Sequence, residues 1–415
     1  MSVPDRDVDV LIVGAGAAGA ACAEGLARDR GFGGSILLVG READPPYERP
    51  PASKAYLRGE IDREATYLHP LAWWEARGVE LLVRTSVMKL DTGACVAKLS
   101  SKEEVGYGAA VLATGANVRR LRVPGAELEG IHYLRALGNA DAIRADAAEA
   151  ERVVLIGGSY VACEVAASLT EMGRHCTMVM VEDAPLCTHF GRAVGDFAAT
   201  LLRERGVELV TADPLERFSG EGRVARVVTQ SGREVEADLV VMGTGAVPDV
   251  MLARSSGLEL GETGGVACSA RLETSAAGVW AAGDTCEYES VLHAGRRMRI
   301  EHWEVARAQG KAAAAAVAGR PADFAEVPYF WSDLADWCTF EYVGAPGEWD
   351  AEIVRGSLDD GRFAVFYLAG DCLVAALSAG RPEDLMQARR MLAVGTDLAD
   401  RAGALADSST DLAEF

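Results

Sequence analysis

Gly14-Ala15-Gly16-Ala17-Ala18-Gly19 is a complete G-x-G-x-x-G run, and the chemistry of that spacing is the holding of a pyrophosphate. The first glycine permits a tight turn, the second lets the backbone approach the phosphates, and the third lets strand and helix pack closely. The motif has this meaning only between a strand and a helix. Here it follows the apolar run 8–13 and opens an alanine-rich segment reaching about Arg28. The helix N-terminus would then face the phosphates with its positive end. After the next apolar run, 35–40, a carboxylate is needed for a ribose hydroxyl pair. Glu42 meets that need, with Arg41 just before it.

The pattern recurs as Gly157-Gly158-Ser159-Tyr160-Val161-Ala162 after the apolar run 152–156. Alanine is accepted at the last position, whereas serine at the middle one narrows the room for a pyrophosphate and predicts weaker binding. Glu182 ends the following run, 176–181, and Asp183 comes next. A 2'-phosphate would meet two carboxylates there and a ribose diol an acceptor, so NADH is expected over NADPH. Ala281-Ala282-Gly283-Asp284 places a carboxylate after a tight turn, suited to a polar part of the first cofactor, although Gly-Asp turns are also ordinary loop elements. Ala113-Thr114-Gly115 and Gly243-Thr244-Gly245 are the matching strand-to-turn crossings.

These residues require two βαβ units. Each is followed by a β excursion, short strands in 81–99 and alternating residues with turn glycines in 206–241. Past residue 327 four apolar runs, 340–343, 351–354, 363–368 and 373–377, predict a small antiparallel sheet, then a helix over about 382–394. The acidic tail 395–415 is expected to fray. The predicted fold class is α/β: two Rossmann-like, three-layer ββα dinucleotide-binding domains and a small C-terminal α+β domain. Residues 1–120 with 247–325 would form the first nucleotide domain, 121–246 the second, for NADH, and 326–415 the last.

With 41 basic against 62 acidic residues the 415-residue chain carries a formal charge of -21, a field that repels nucleic-acid and anionic lipid surfaces. No apolar run approaches the ~18 residues of a membrane span, and the start lacks a basic-then-apolar signal segment. The nine cysteines include no CxxC pair. Reduced thiols in a cytoplasmic protein, with no metal site, are the expectation.

Three longer strings give the sequence a family likeness. Pro46-Tyr47-Glu48-Arg49-Pro50-Pro51-Ala52-Ser53-Lys54, Arg299-Ile300-Glu301-His302-Trp303 and Val327-Pro328-Tyr329-Phe330-Trp331-Ser332-Asp333 resemble, in order, segments of the ferredoxin and rubredoxin reductase and apoptosis-inducing-factor-like branch of the FAD-dependent pyridine nucleotide-disulfide oxidoreductases. The resemblance implies FAD in the first nucleotide domain and a contribution of the last domain to the flavin site, with FAD contacts from Arg49, Lys54, Arg135 and Val87. It puts Lys54 near the reactive edge of the flavin, paired with Glu164, and Asp284 on the ribityl chain or pyrophosphate. Glu301, His302, Trp303 and Trp331 would line the flavin. For NADH it implies Gly158, Ser159, Tyr160, Val161, Glu182 and Gly245.

Two departures stand out. Arg41 occupies a position where many relatives have an acidic residue for the adenosine ribose, so Glu42 acts alone or the adenosine is held differently. No cysteine lies in 46–57 and no CxxxxC occurs, so electrons are expected to leave from the flavin itself. The resemblance implies a hydride passed from NADH to FAD, then single electrons passed to a small iron-sulfur protein, ferredoxin or rubredoxin, by a monomer or homodimer. A basic landing patch for such an acidic partner is sought in 296–311, where five cations face Glu301 and Glu304. Two rival readings share these residues: an NADH oxidase or quinone reductase, and an apoptosis-inducing-factor-like redox sensor forming a long-lived charge-transfer complex with NADH.

Overall fold

The computed structural model describes residues 4–345, 347–399 and 401–415. Residues 1–3 and Asp400 of the acidic tail lie outside the described residues, as does Pro346. The chain divides into two compact units: the chain up to Glu48 with Thr66–Asn117 and Val247–Tyr329, and Arg49–Ala65 with Val118–Ala246 and Phe330–Phe415.

In the first unit four parallel strands lie in the order Val79–Leu82, Ile36–Val39, Arg6–Val13, Glu104–Leu112. Val279–Ala281 pairs with the carboxyl end of Glu104–Leu112, and the hairpin of Val87–Asp91 and Val96–Leu99 with its amino end. Val10 to Val13 are all buried, since neighbouring strands and helices cover the central strand of a parallel sheet, so it reads as an unbroken apolar run. The helix Ala17–Arg28 packs on Trp303–Val317 so tightly that a Cβ on Gly310 would come within 2.1 Å of the Ala18 carbonyl oxygen. That approach explains the alanine content of both helices. The glycine turn leaves the sheet between the loops that follow Ile36–Val39 and Glu104–Leu112.

The second unit repeats the scheme. Its parallel sheet runs Glu208–Val210, His175–Val179, Arg152–Ile156, Leu239–Met242, Ile131–Tyr133. Leu215–Ser219, Arg226–Thr229 and Glu234–Glu236 form the antiparallel excursion. The segment Arg49–Ala65, which the sequence placed within 1–120, packs in this unit: Tyr56 donates to Asp141 at 2.7 Å and Ser168 to the Ser53 carbonyl at 2.7 Å. The expected C-terminal sheet is present with a fifth strand. Its order is Tyr329–Leu334, Cys338–Gly344, Cys372–Ala379, Arg362–Ala369, Ala351–Ser357. Phe363 to Leu368 are buried without alternation, because Pro382–Val394 packs on this sheet and Phe197, from Cys187–Glu204, sits edge-on to Phe363 at 4.9 Å. Among the described residues no helix is long and apolar enough to cross a membrane.

The tail corrects the expectation that 395–415 frays. Arg355, 4% exposed, donates Nε to Asp384 at 3.1 Å and Nη2 to the Thr410 carbonyl at 2.8 Å, and it also holds the carbonyls of Leu405, Asp407 and Ser408. Arg390 binds the carbonyls of Leu412 and Phe415 at 3.1 and 3.0 Å, and Leu405 and Leu412 are buried. Carbonyl capture by two guanidinium groups offsets the ordering entropy that an acidic tail would otherwise keep. Arg355→Ala leaves these carbonyls without their donor while Asp384 keeps Arg381, so unfolding free energy is expected to fall by about 1–3 kcal/mol. Urea unfolding of variant and wild type measures the difference.

Candidate active site

In the first unit the glycine turn is shaped as its sequence requires. Gly14 has φ +111° and backs onto Ala113, whose carbonyl oxygen would lie 2.1 Å from a Cβ there; Gly19 would meet the Gly14 carbonyl at 1.8 Å. A Cβ on Gly16 would have nothing within 4 Å, and this residue caps Ala17–Arg28 with no side-chain hydrogen bond. The first-turn amides at Ala17 and Ala18 are thus left for an anion at the helix's positive end. Gly283 closes on Ala18, its amide held by Gln309 at 2.8 Å, which brings Asp284 to the same turn. Thr114 donates to the Asp249 carbonyl at 2.6 Å, and the Asp249 amide donates to Gly115 at 2.9 Å. An open turn, unpaired helix amides and a carboxylate beside them fit the pyrophosphate and sugar of FAD.

Around this turn the other expected residues take distinct places. Glu42 accepts from the Tyr47 hydroxyl at 2.6 Å. Arg41 is engaged elsewhere, on Asp249 and Asn117. Val87 opens its strand two residues beyond Thr85, whose amide donates to Gly40. Arg299 joins the Asp284 carbonyl at 3.1 Å to the Glu301 carboxylate. His302 is the N-cap of Trp303–Val317, and burial pulls its pKa down to about 4 against the opposing pull of Asp284, so the imidazole is neutral at pH 7.

The second unit holds the nucleotide turn and a charged cluster. Gly157, at φ +108°, backs onto the Gly243 carbonyl. Ser159, expected from its position to narrow the turn, donates its hydroxyl to Gly243 at 3.0 Å and accepts from the Ala162 amide, capping Tyr160–Glu171. Tyr160 packs on Phe330 at 4.8 Å, Val161 follows it in the helix, and Gly245 accepts from the Arg119 amide. Gly158 faces Glu182, whose Oε2 would lie 3.2 Å from a Cβ there and is buried with no hydrogen-bond partner. A buried carboxylate oxygen awaiting a donor fits the ribose diol of NADH.

Lys54 lies between the short helices Pro50–Ser53 and Ala55–Arg58. Its Nζ is 2.7 Å from Asp333 Oδ2, 3.4 Å from Glu164 Oε1 and 5.5 Å from the Trp331 ring. The expected Lys54–Glu164 pair is therefore present, with Asp333 as the nearer partner. Ser53 donates to Glu164 Oε2 at 2.5 Å and Ser332 to Oε1 at 2.7 Å, while Thr339 holds Asp333 at 2.7 Å. Arg49 reaches the Arg135 carbonyl, so those two FAD candidates also meet. Asp333 and Ser332 stand inside one of the three family-like strings and Ser53 inside another, yet nothing in the sequence told their hydroxyl and carboxyl roles. Burial holds the Glu164 carboxyl above the ordinary carboxylate range, opposed by Lys54, Ser53 and Ser332 and reinforced by Asp333.

The thiols are inert where redox chemistry would use them. Burial pushes Cys22, on the first phosphate helix, up to about 12 and raises Cys163, on the second. All nine cysteines are free, with Cys95 and Cys372 exposed. The sought basic patch is largely neutralised: Arg297 pairs with Glu289, Arg299 with Glu301 and Arg307 with Glu24.

Two glycine turns, each starting a helix at the carboxyl end of a parallel sheet, define a protein with two dinucleotide sites. The pyridine nucleotide-disulphide oxidoreductase family model matches residues 8–310 and the reductase C-terminal model residues 329–415. The chain is 34% identical over 407 residues to rhodocoxin reductase of Rhodococcus erythropolis, covering 98% of this chain and 94% of that one. It is 33% identical to a rubredoxin-NAD(+) reductase of Pseudomonas putida, covering 90% and 96%. The reductase of a covalent putidaredoxin reductase-putidaredoxin complex superposes with TM-score 0.91 at 32% identity, covering 99% of this chain and 98% of that one. The chain belongs to the pyridine nucleotide-disulphide oxidoreductase family, in its ferredoxin and rubredoxin reductase branch.

Because the Glu164 carboxyl is raised, its contribution to stability is complete below its ordinary value of about 4.5 and is lost as pH rises through the folded value. Glu164→Gln is neutral at every pH and escapes that loss. The unfolding free energy of the variant relative to wild type is therefore expected to climb as pH rises above about 4.5 in paired urea titrations, and a flat difference would contradict the raised carboxyl.

Proposed function

We propose that this chain is an NADH-dependent flavoprotein reductase that carries electrons through FAD to a small iron-sulfur protein of the ferredoxin or rubredoxin type. The observation that carries this reading is the presence of two glycine turns at helix starts, with thiols on both helices that burial keeps protonated. Reducing equivalents have an entry through NADH, and the thiols on the phosphate helices cannot accept them. The named relatives, reductases of rhodocoxin, rubredoxin and putidaredoxin, support the same exit.

FAD, when bound, supplies the conversion of a two-electron hydride into single-electron transfers. The protein's residues bind and orient. Glu182 takes the ribose of NADH, and the first-turn amides of Tyr160–Glu171 face its phosphates. Lys54 supplies a positive charge fixed in direction by Asp333, which favours negative charge gained by a neighbouring group. Glu164 sets the net charge beside Lys54, since its buried carboxyl can hold a proton on either oxygen that Ser53 and Ser332 address. Each NADH consumed releases one proton and reduces two one-electron carriers. We assign 1–120 with 247–325 to FAD, 121–246 to NADH and 326–415 to the C-terminal module. Free thiols throughout suit a cytoplasmic setting.

Anaerobic mixing of the purified protein with NADH, then with an oxidised [2Fe-2S] ferredoxin, tests the reading. Bleaching of the flavin band by NADH and its return as ferredoxin is reduced are the expected results, and a protein without a flavin band would defeat it. Glu182→Gln loses a charge-assisted hydrogen bond of about 1.5 kcal/mol, so KM for NADH is expected to rise about tenfold while the preference over NADPH narrows.

A further inference from the structure

Arg41 leaves the loop after Ile36–Val39, and its Nη1 lies 2.6 Å from Asp249 Oδ2 while Nη2 donates to Asn117 Oδ1 at 2.7 Å. These partners are 208 and 76 residues away in the chain. The guanidinium is half exposed, and a half-exposed ion pair adds little to folding stability. A bridge this specific needs another reason.

Its position supplies one. Gly40 presses on Ala15 of the phosphate turn, where a Cβ would come within 2.7 Å of the Ala15 Cβ. On the opposite side Gly14 backs onto Ala113, and the backbone of Asp249 is tied to Thr114 and Gly115 and accepts from Thr285 at 3.3 Å. Arg6–Val13 lies between Ile36–Val39 and Glu104–Leu112. A side chain running from residue 41 to residues 117 and 249 therefore crosses the end of the central strand, over the turn that emerges there. Only part of the five-donor guanidinium is used by the two acceptors, leaving N–H groups for a phosphate or an adenine edge.

We propose that Arg41, Asn117 and Asp249 form a clasp across the mouth of the Gly14–Gly19 turn, holding FAD by its adenosine pyrophosphate end and limiting its release. The proposal rests on the assignment of FAD to this unit.

The test is FAD release from the purified holoenzyme diluted into FAD-free buffer, followed by the rise of free-flavin fluorescence. Arg41→Ala and Asp249→Asn are each expected to speed release about tenfold or more, and the double variant no further, as members of one coupled pair do. Arg41→Lys, which reaches only one acceptor at a time, is expected between them and wild type. Raising salt from about 50 mM to about 500 mM should speed release from wild type and leave Arg41→Ala unchanged. Release within about twofold of wild type in both single variants would overturn the clasp. So would an equal fall in melting temperature with and without FAD, which marks a purely structural role. A wild-type protein that never carries FAD defeats the flavoprotein assignment together with the clasp, whereas unchanged release from a yellow protein defeats the clasp alone.

Discussion

A helix that starts directly off a buried parallel strand begins with amides that have no partner within the helix. The geometry around residues 14–19 and 157–162 follows from that constraint. The strand must be apolar because both faces are covered, the turn must be glycine because the backbone folds against the next crossing, and the helix must be small-sided because it lies close to its neighbours. What remains at the turn is a set of first-turn N–H groups with no partner inside the helix. In the second unit Ser159 satisfies one of them internally, so the two turns are not equivalent: the first offers a barer cradle, the second a capped one with a buried acid at its edge.

The second organising feature is the placing of charge away from water. Lys54, Asp333 and Glu164 are close enough to share one electrostatic field, and two serine hydroxyls address the same carboxylate. A carboxyl raised by burial and a lysine pinned by a second acid give a cluster whose net charge depends on one proton. Such a cluster resists reorganisation, which is the property that makes fixed charges effective next to a cofactor.

The sequence made the local parts of this design legible. The glycine turns, Glu182 and the neighbouring strands could be read because each is specified within about thirty residues. Residues that meet only through folding were harder. Asp249 and Asn117 carried no signal because their partner Arg41 is far away in the chain, and Asp333 stood only as the last residue of a family-like string, its partner Lys54 lying 279 residues away. The capping role of Ser159 went unread because side-chain direction is invisible in a motif. The tail misled for a related reason: its composition favours disorder, and the two arginines that hold its carbonyls lie in another strand and another helix. The basic segment 296–311 was misleading in the opposite sense, since Arg297, Arg299 and Arg307 are paired with acids.

The pattern of thiol burial also has a practical use. Of the nine cysteines only Cys95 and Cys372 are exposed, one in the first compact unit and the other in the second. Gentle labelling with a maleimide dye or nitroxide would therefore favour one reporter on each body, with the half-buried Cys187 and Cys338 replaced to keep the second body singly tagged. Distances from resonance energy transfer or pulsed electron spectroscopy between the two tags would give a native ruler for any movement between the bodies during turnover.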